Sequence, residues 1–454
     1  MTRARSASLV GQPQRGLCRV AAAMRRILTG APAVVVVAVV LRVGLVAATP
    51  AYVPSGDPIS YDRQAAYLVA HGTYTPSEHA DATSPAAYRP PAWPYLLAGV
   101  YKVTGERWTA GRLAAAGLGT LTVLLVLLVA GEALGAAAGR TAGWMAAVFP
   151  PMVFLSGSLV AENLFVPLLL ASAWAVLRAR RSATPWRWAV LAGGCCGLAA
   201  LTRTNGLGLA VPLALALLPT LRPRSLRPSG LALPVVAVVA MAAVISPWTV
   251  RNAKALHAFV PVSTQSGYTE AAVWNPTSAA PGPDLGRPQY VHVEPLLHRP
   301  GVDEVALSRE LGRIGRRFAY HHPRYVLDVL RLNLLRSFKL ASSHGTFAYY
   351  WNRERNMTPP MRVLDSLGLA VGVALALLAL ARRAGRRRLR AAPFWLWLFG
   401  LVTFASTVFL LGNPRYRTSL DPFIVMLAAV AVGERLWRVR AAPRTGRSRA
   451  AGAR

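Results

Sequence analysis

The chain has 454 residues, of which 54% are hydrophobic, and carries a net charge of +33 from 51 Lys and Arg against 18 Asp and Glu. So basic a balance often points to nucleic-acid binding, but here most arginines lie in short clusters between long apolar runs, which is the positive-inside pattern of membrane proteins. We therefore expect a membrane protein without a nucleic-acid partner. With only three cysteines, Cys18, Cys195 and Cys196, the sequence argues against a disulfide framework or a cysteine-based metal site.

Apolar runs that approach or reach the length needed to cross a bilayer recur from one end of the chain to the other. They predict an all-α polytopic membrane protein with about ten transmembrane helices. The first run is expected to remain as an anchor because its apolar core is too long for a usual signal peptide. The predicted segments are 27–49, 109–130, 141–158, 160–178, 187–202, 207–220, 230–249, 363–381, 392–411 and 419–434.

The connections between these segments alternate between arginine-rich and arginine-poor. Clusters at 178–187, 222–227 and 382–390, together with the basic ends of the chain, predict that both termini are cytoplasmic in the plasma membrane. The loop 131–140, with Arg140, belongs to the same cytoplasmic set, and the other connections, above all 50–108 and 250–362, are then extracytoplasmic.

These signals divide the chain into five parts. They are a basic cytoplasmic arm (1–26), a transmembrane core (27–249) that includes the outer loop 50–108, an extracytoplasmic segment (250–362), C-terminal transmembrane helices (363–434) and a basic cytoplasmic tail (435–454). In the extracytoplasmic segment, the Gly- and Pro-rich stretch 267–289 is typical of a loop. The spacing of Leu307, Leu311, Ile314 and Phe318 instead predicts helix within 302–340.

Polar residues that border the predicted segments collect on the outer side. Acids are scarce there. Because acids and arginines from distant parts of the sequence are expected on the same membrane face, they predict one composite site. The residues concerned are Asp57, Asp62, Glu162, Arg203, Asn205, Arg251, Asn252, Arg415, Arg417 and Asp421.

Each candidate also has a purely structural explanation. Asp57 before Pro58 has the pattern of a helix N-cap, which predicts a short interfacial helix after it. Asp62 would then lie on the solvated face of that helix, and Glu162 would mark a loop. Arginines near segment ends, including Arg42, can be interface anchors that snorkel. The adjacent His321 and His322 lack further ligands at metal-site spacing.

Several stretches resemble one known family and occur in its order. They are "SGDPISYDRQAAYLVAHG" (55–72), "AYRPPAWPYLLAGVY" (87–101), "FPPMVFLSGSLVAENLFV" (149–166), "LAALTRTNGLGLAV" (198–211), "SPWTVRNAKALHAFVPVSTQSGY" (246–268), "HHPRYVLDVLRLNLLRSF" (321–338) and "GNPRYRTSLDPF" (412–423). With these stretches the chain resembles the GT-C glycosyltransferases, particularly the branch of the protein O-mannosyltransferases and the lipid A aminoarabinose transferases. One departure is that Pro58 follows Asp57, where many members have a second acid or a small residue.

The resemblance implies transfer of a sugar from a polyprenyl-phosphate carrier to an extracytoplasmic hydroxyl, by a direct displacement that inverts the anomeric carbon. Asp57 would be the base, and Glu162 would orient the sugar or help to hold a divalent cation, if one is used. The acceptor would be a glycan, a glycolipid or a protein. The implied phosphate-binding residues are Arg203, Arg251, Arg415 and Arg417, and the implied sugar- or acceptor-binding residues are Asp62, Tyr88, Asn205 and Asn252.

Two other functions fit so many membrane segments. A transporter or flippase of a lipid-linked sugar would scatter polar residues along the midplane and often show repeated halves, and the sequence has neither feature. A noncatalytic membrane assembly factor is the second alternative. The loss of transfer in Asp57→Asn would separate an enzyme from both.

Overall fold

The computed structural model describes residues 30–80, 84–218, 228–282, 284–341 and 352–441. Within these ranges the chain is helical and has no β-strand, only an isolated bridge between Pro76 and Pro85. The expected all-α architecture is confirmed. The basic arm 1–26, the basic loop at 222–227, the aromatic residues at 349–351 and residues 442–454 of the tail lie outside the described residues.

The helices of the first half run from the predicted anchor to the long helix before the extracytoplasmic segment. They are α1 (Ala31–Ala48), α2 (Asp57–His71), α3 (Ala92–Thr104), α4 (Trp108–Leu134), α5 (Ala136–Val148), α6 (Pro150–Leu155), α7 (Glu162–Ala179), α8 (Pro185–Thr202), a 3₁₀ helix (Thr204–Leu209), α9 (Ala210–Leu217) and α10 (Pro228–Leu256).

The second half begins with the extracytoplasmic segment. Its helices are α11 (Gln265–Val273), α12 (Pro276–Ala279), a 3₁₀ turn (Glu294–Leu296), α13 (Glu304–His321), α14 (Pro323–Ser337), α15 (Pro359–Ala381), α16 (Arg383–Ala391), α17 (Phe394–Val408), a 3₁₀ helix (Pro414–Ser419) and α18 (Asp421–Ala441).

Five helices of the described ranges are long and apolar enough to cross a membrane. They are α1, α4, α7, most of α10 and α15, and the pair α16–α17, bent by 92°, would make a sixth. The ten predicted spans are more similar in length than the helices of the structure, several of which are too short to cross a membrane. The run 207–220, for example, is a 3₁₀ helix followed by the short α9.

The large apolar core lies among the membrane helices of the first half. Helix α8 packs between α7 and α10, while α4 packs against α1, α5 and α7. Helix α7 has 18 residues, which at 1.5 Å per residue is about 27 Å, close to the hydrocarbon thickness of a bilayer. It begins at Glu162 and carries Arg178 in its last turn. The candidate site therefore lies at one end of this helix, and a basic cluster lies at the other end.

The extracytoplasmic segment is more ordered than its composition predicts. Helices α11 and α12 include 267–273 and 276–279, so the interpretation as a loop is wrong for those residues, while the described residues of 280–289 have no helix. The helix predicted within 302–340 is confirmed as α13 and α14. Glu304 ties this segment to the loop 50–108: its buried carboxylate accepts hydrogen bonds from Ala87 N at 2.7 Å, Ser77 Oγ at 2.7 Å and Thr264 Oγ1 at 2.8 Å.

Candidate active site

Asp57 begins helix α2, but it does not cap that helix. Gly56 is the N-cap, with φ of 66°, and the Asp57 side chain makes no capping hydrogen bond. The N-cap interpretation of Asp57 is therefore wrong. Its carboxylate instead accepts from two arginines, Arg89 Nη2 at 2.7 Å and Arg415 Nη1 at 2.6 Å.

Arg415 is the centre of an ionic network. It lies in the 3₁₀ helix before α18, and 2% of its side chain is exposed. Its Nε donates to Glu162 Oε1 at 2.7 Å, and its Nη1 lies 3.5 Å from Glu354 Oε1 as well as 2.6 Å from Asp57 Oδ2. Its Nη2 is buried and has no hydrogen-bond partner within the described ranges.

Glu162 and Arg203 form a second pair beside Arg415. Glu162 is the first residue of α7 and is buried, and Arg203 directly follows α8. Arg203 Nη1 donates to the Glu162 oxygen that also accepts from Arg415, and its guanidinium stacks over the Tyr416 ring at 5.0 Å. Because α7 and α8 are neighbours that run in opposite directions, the start of one meets the end of the other at this site.

Glu354 is the third acid of the network. It lies in a helical turn at 352–354, and its Oε1 accepts weakly from the backbone N–H of Asp57 at 3.4 Å. An ideal Cβ on Gly56 would lie 2.6 Å from the same oxygen. Gly56 therefore allows both the positive φ and the close approach of Glu354.

A cavity of about 160 Å³ opens beside this network. Its charged lining consists of Asp57, Arg89 and Arg203, and Asn205, Gln265 and Tyr416 add polar groups. Leu410 and Leu411 contribute an apolar wall. Asn205 Nδ2 donates to the carbonyl of Thr403 at 3.2 Å, and its Oδ1 is buried without a partner in the described ranges.

The two acids on the outer part of the network have opposite pKa shifts. Burial raises the pKa of Asp57, but the guanidiniums of Arg89 and Arg415 outweigh burial and hold it well below its usual range. Burial also raises the pKa of Glu354, and there Arg415 compensates only in part, so that its pKa is about 7. Asp57 is thus a charged carboxylate at neutral pH, while Glu354 titrates near neutrality.

Three predicted phosphate or sugar ligands lie elsewhere. Arg417 Nε pairs with Asp421 Oδ1 at 2.7 Å, and its Nη1 donates to the carbonyl of Ser337 at 2.7 Å. Arg251 donates to Ala86 O at 2.7 Å, and Asn252 Nδ2 to Val260 O at 3.0 Å. These groups hold the fold together, and the structure does not bring them to the cavity.

Asp62 and Tyr88 are also used in packing. The Asp62 carboxylate is buried and accepts from Tyr101 Oη at 2.6 Å and Trp108 Nε1 at 2.9 Å, so it does not lie on a solvated face. Tyr88 lies edge-on to Tyr268, and Arg89 stacks over its ring at 4.9 Å. Tyr88 therefore supports Arg89 and does not line the cavity itself.

Arg42 makes hydrogen bonds only with backbone carbonyls, those of Ala38, Ala146 and Ala147. It is fully buried, so it neither snorkels nor reaches the cavity.

Sequence reasoning missed Arg89 and Glu354. Arg89 lies within the stretch 87–101 that carries the family resemblance, which was a usable signal. Glu354 follows an aromatic run, and its partners Asp57 and Arg415 are 297 and 61 residues away in sequence, so no local pattern pointed to it.

The carboxylates of this site do not form a set of metal ligands as they are arranged. Both oxygens of Asp57 are bonded to arginines, as is one oxygen of Glu162. Across the described ranges, no three His, Cys, Asp or Glu side chains are grouped so that they could hold a metal ion.

Comparison with known proteins gives a family match for part of the chain. The family described as dolichyl-phosphate-mannose-protein mannosyltransferase matches residues 88–250. That range contains Arg89, Glu162 and Arg203. Comparison with curated proteins finds no match.

Solved structures of low sequence identity resemble the chain, and those with a TM-score above 0.5 share its fold. An archaeal oligosaccharyltransferase, AglB from Archaeoglobus fulgidus in complex with an inhibitory peptide and a dolichol-phosphate, has a TM-score of 0.52 at 15% identity, covering 92% of this chain and 52% of that one. The same organism's oligosaccharyltransferase with Zn and sulfate also gives 0.52, at 16% identity, covering 90% and 49%. ArnT from Cupriavidus metallidurans bound to undecaprenyl phosphate has a TM-score of 0.40 at 16% identity, covering 90% and 77%.

The chain spans about half the length of the oligosaccharyltransferase structures. What it shares with them is therefore the membrane-embedded fold and not their whole architecture. The comparisons thus show a helical membrane fold like that of these structures, and a mannosyltransferase family match over residues 88–250.

Proposed function

We propose that the chain is a membrane glycosyltransferase that moves a sugar from a polyprenyl-phosphate donor to an extracytoplasmic hydroxyl. The observation that carries the proposal is the position of Asp57 at the wall of the cavity, bonded to both Arg89 and Arg415. A carboxylate that can act as a base and two guanidinium cations are thereby adjacent at the wall of this cavity.

The arginines are suited to bind the phosphate of the donor. Arg89 and Arg203 line the cavity, and Arg415 lies directly behind Asp57 with one nitrogen unpartnered in the described ranges. A guanidinium binds phosphate through two parallel hydrogen bonds. As the bond between the anomeric carbon and the phosphate oxygen breaks, these fixed cations stabilise the charge that grows on the leaving polyprenyl phosphate.

Asp57 is suited to accept the proton of the acceptor hydroxyl, once the donor is bound. Without donor, two arginines hold its pKa low and make it a weak base. A donor phosphate that takes up those guanidiniums would weaken their hold on Asp57 and raise its pKa. The acceptor oxygen then attacks the anomeric carbon, its proton passes to Asp57, and polyprenyl phosphate leaves in one inverting displacement.

The remaining polar lining would orient the sugar. Asn205 and Gln265 line the cavity, and their amides can both donate and accept hydrogen bonds with hydroxyl groups. Glu162 would act by holding Arg203 and Arg415 in place. The site would face the extracytoplasmic side, with both termini in the cytoplasm and a glycan, glycolipid or protein as acceptor.

The test is transfer by the full chain reconstituted with a polyprenyl-phosphate sugar and an acceptor. Asp57→Asn should lower the rate by about 10²- to 10⁴-fold, as the loss of a general base does, while donor binding is retained. Glu106→Gln, an exposed acid in the same outer loop, should transfer normally. Normal transfer by Asp57→Asn would refute the enzyme and favour a transporter or an assembly factor.

A further inference from the structure

A second cavity, of about 320 Å³, lies at the other end of helix α11 from the catalytic cavity. Gln265, Ser266 and Thr269 of α11 line the catalytic cavity. Trp274, which directly follows α11, lines the second cavity. A nine-residue helix is about 13 Å long, so one extended ligand could occupy both.

The floor of this cavity is apolar and aromatic. Trp274, Ile314 and Phe318 form it, and Phe318 is stacked on His322 with ring centroids 4.0 Å apart. Trp274 is 2% exposed and packs edge to face against Tyr325, so the apolar surface that a sugar can contact comes mainly from the half-buried Ile314 and Phe318.

The rim of the cavity is basic. It carries Arg317, His292, His321 and His322, and no acid is among the lining residues. Within the described ranges the Arg317 guanidinium has no hydrogen-bond or ion-pair partner, although its neighbour Arg316 pairs with Glu270. An exposed arginine without a counter-charge at the edge of a cavity is complementary to an anionic ligand.

The two histidines present their outer nitrogens to the same rim. His321 Nδ1 bonds the carbonyl of Arg317 at 2.7 Å, and His322 Nδ1 bonds that of Phe318 at 2.8 Å. Because a carbonyl only accepts, each Nδ1 carries a hydrogen, and in the neutral ring Nε2 is then an acceptor that can bond a sugar hydroxyl, which leaves the carboxylate to Arg317.

We propose that this cavity binds a carboxylate-bearing saccharide unit of the acceptor, at a distance from the sugar that is transferred. The role as an acceptor site rests on the proposed glycosyltransferase function. Binding in the second cavity would hold an acidic glycan so that its hydroxyl end reaches Asp57. Binding energy from such a remote unit would favour the reaction of long acidic acceptors.

The experiment is isothermal titration of the full chain in detergent with a galacturonic acid trisaccharide and with its methyl ester, which removes only the charges. The acid should bind at least about tenfold more tightly than the ester, and Arg317→Gln should remove that preference, as expected for a lost hydrogen bond to a charged group. Arg313→Gln, on the same helix and exposed but outside the cavity, should leave it unchanged. Asp57→Asn should also bind normally, so this result is independent of whether transfer occurs.

Equal binding of acid and ester would overturn the proposal, and so would equal effects of Arg317→Gln and Arg313→Gln. Short-chain phosphatidylglycerol serves as the second probe. Arg317-dependent binding of that lipid, without binding of the acidic trisaccharide, would show a lipid site instead and would likewise overturn it.

Discussion

Arg415 joins three acids that are far apart in sequence. Asp57, Glu162 and Glu354 lie 358, 253 and 61 residues away from it. Its planar fork can serve several oxygens at once, which the point charge of lysine does not. Arg415 is therefore the residue on which both the shape and the charge of the site depend.

Removing Arg415 should destabilise the folded chain. Arg415→Gln leaves three carboxylates without their shared cation, and breaking a buried pair in this way costs about 3–5 kcal/mol. Arg316→Gln is the control, because Arg316 pairs with Glu270 while 64% of its side chain is exposed; such pairs contribute at most about 1 kcal/mol. Thermal unfolding in detergent checks both, and equal losses would show that the network does not stabilise the fold.

Glu354 should make stability depend on pH near neutrality. Its pKa of about 7 lies above the usual glutamate value of 4.5 because of burial, so the folded chain favours the protonated acid. Its contribution to stability is complete below the unfolded pKa and is lost as pH rises through about 7. Glu354→Gln should thus flatten the fall in melting temperature between pH 6 and pH 8, and an unchanged pH profile would count against this assignment.

The position of Asp57 at the start of helix α2 depends on the preceding residue, Gly56. Gly56 and Gly72 flank the helix, with φ of 66° and 69°. A Cβ at Gly56 would meet Glu354, whereas nothing lies within 4 Å of one at Gly72. The two positions share a positive φ, but they differ in ψ, which is −132° at Gly56 and 2° at Gly72, and in what surrounds them.

Gly56→Ala should therefore be more harmful than Gly72→Ala. Both replacements carry backbone strain of about 1–3 kcal/mol, and only Gly56→Ala also displaces Glu354 from the site. We expect a loss in melting temperature from strain in both variants, a larger loss for Gly56→Ala, and reduced transfer for Gly56→Ala alone. Full transfer by Gly56→Ala would mean that the contact with Glu354 is not needed.

Arg415 and Arg417 lie in the 3₁₀ helix Pro414–Ser419 and show the limit of predictions made from local sequence alone. The sequence placed Arg415 and Arg417 together at the outer end of a segment, but a 3₁₀ helix has about three residues per turn. Residues two apart therefore project in different directions. Arg415 meets Asp57 and Glu162, while Arg417 meets Asp421 and the Ser337 carbonyl.

On the scale of the whole molecule, hydropathy predicted the helical membrane fold, and the shared face of Asp57, Glu162, Arg203 and Arg415 was predicted from the sorting of polar residues. Arg89 was not singled out because the chain has 51 basic residues, and one arginine in a loop does not stand out among them. Glu354 depends on tertiary contacts that no periodicity records.

The orientation of the chain can be tested with single cysteines. In a background with Cys18, Cys195 and Cys196 replaced, Tyr320→Cys on exposed α13 should react with a membrane-impermeant maleimide in intact cells. Arg387→Cys on α16 should react only after permeabilisation. The reverse pattern would place the basic clusters outside and the proposed site in the cytoplasm.

The most direct test of the central claim is an experimental structure of the full chain with a polyprenyl-phosphate sugar bound. The account predicts the phosphate within hydrogen-bond distance of the guanidiniums of Arg89, Arg203 or Arg415, with the anomeric carbon facing Asp57 and the Asp57–arginine bonds lengthened. A phosphate bound outside this cavity, with Asp57 still held by Arg89 and Arg415, would contradict it.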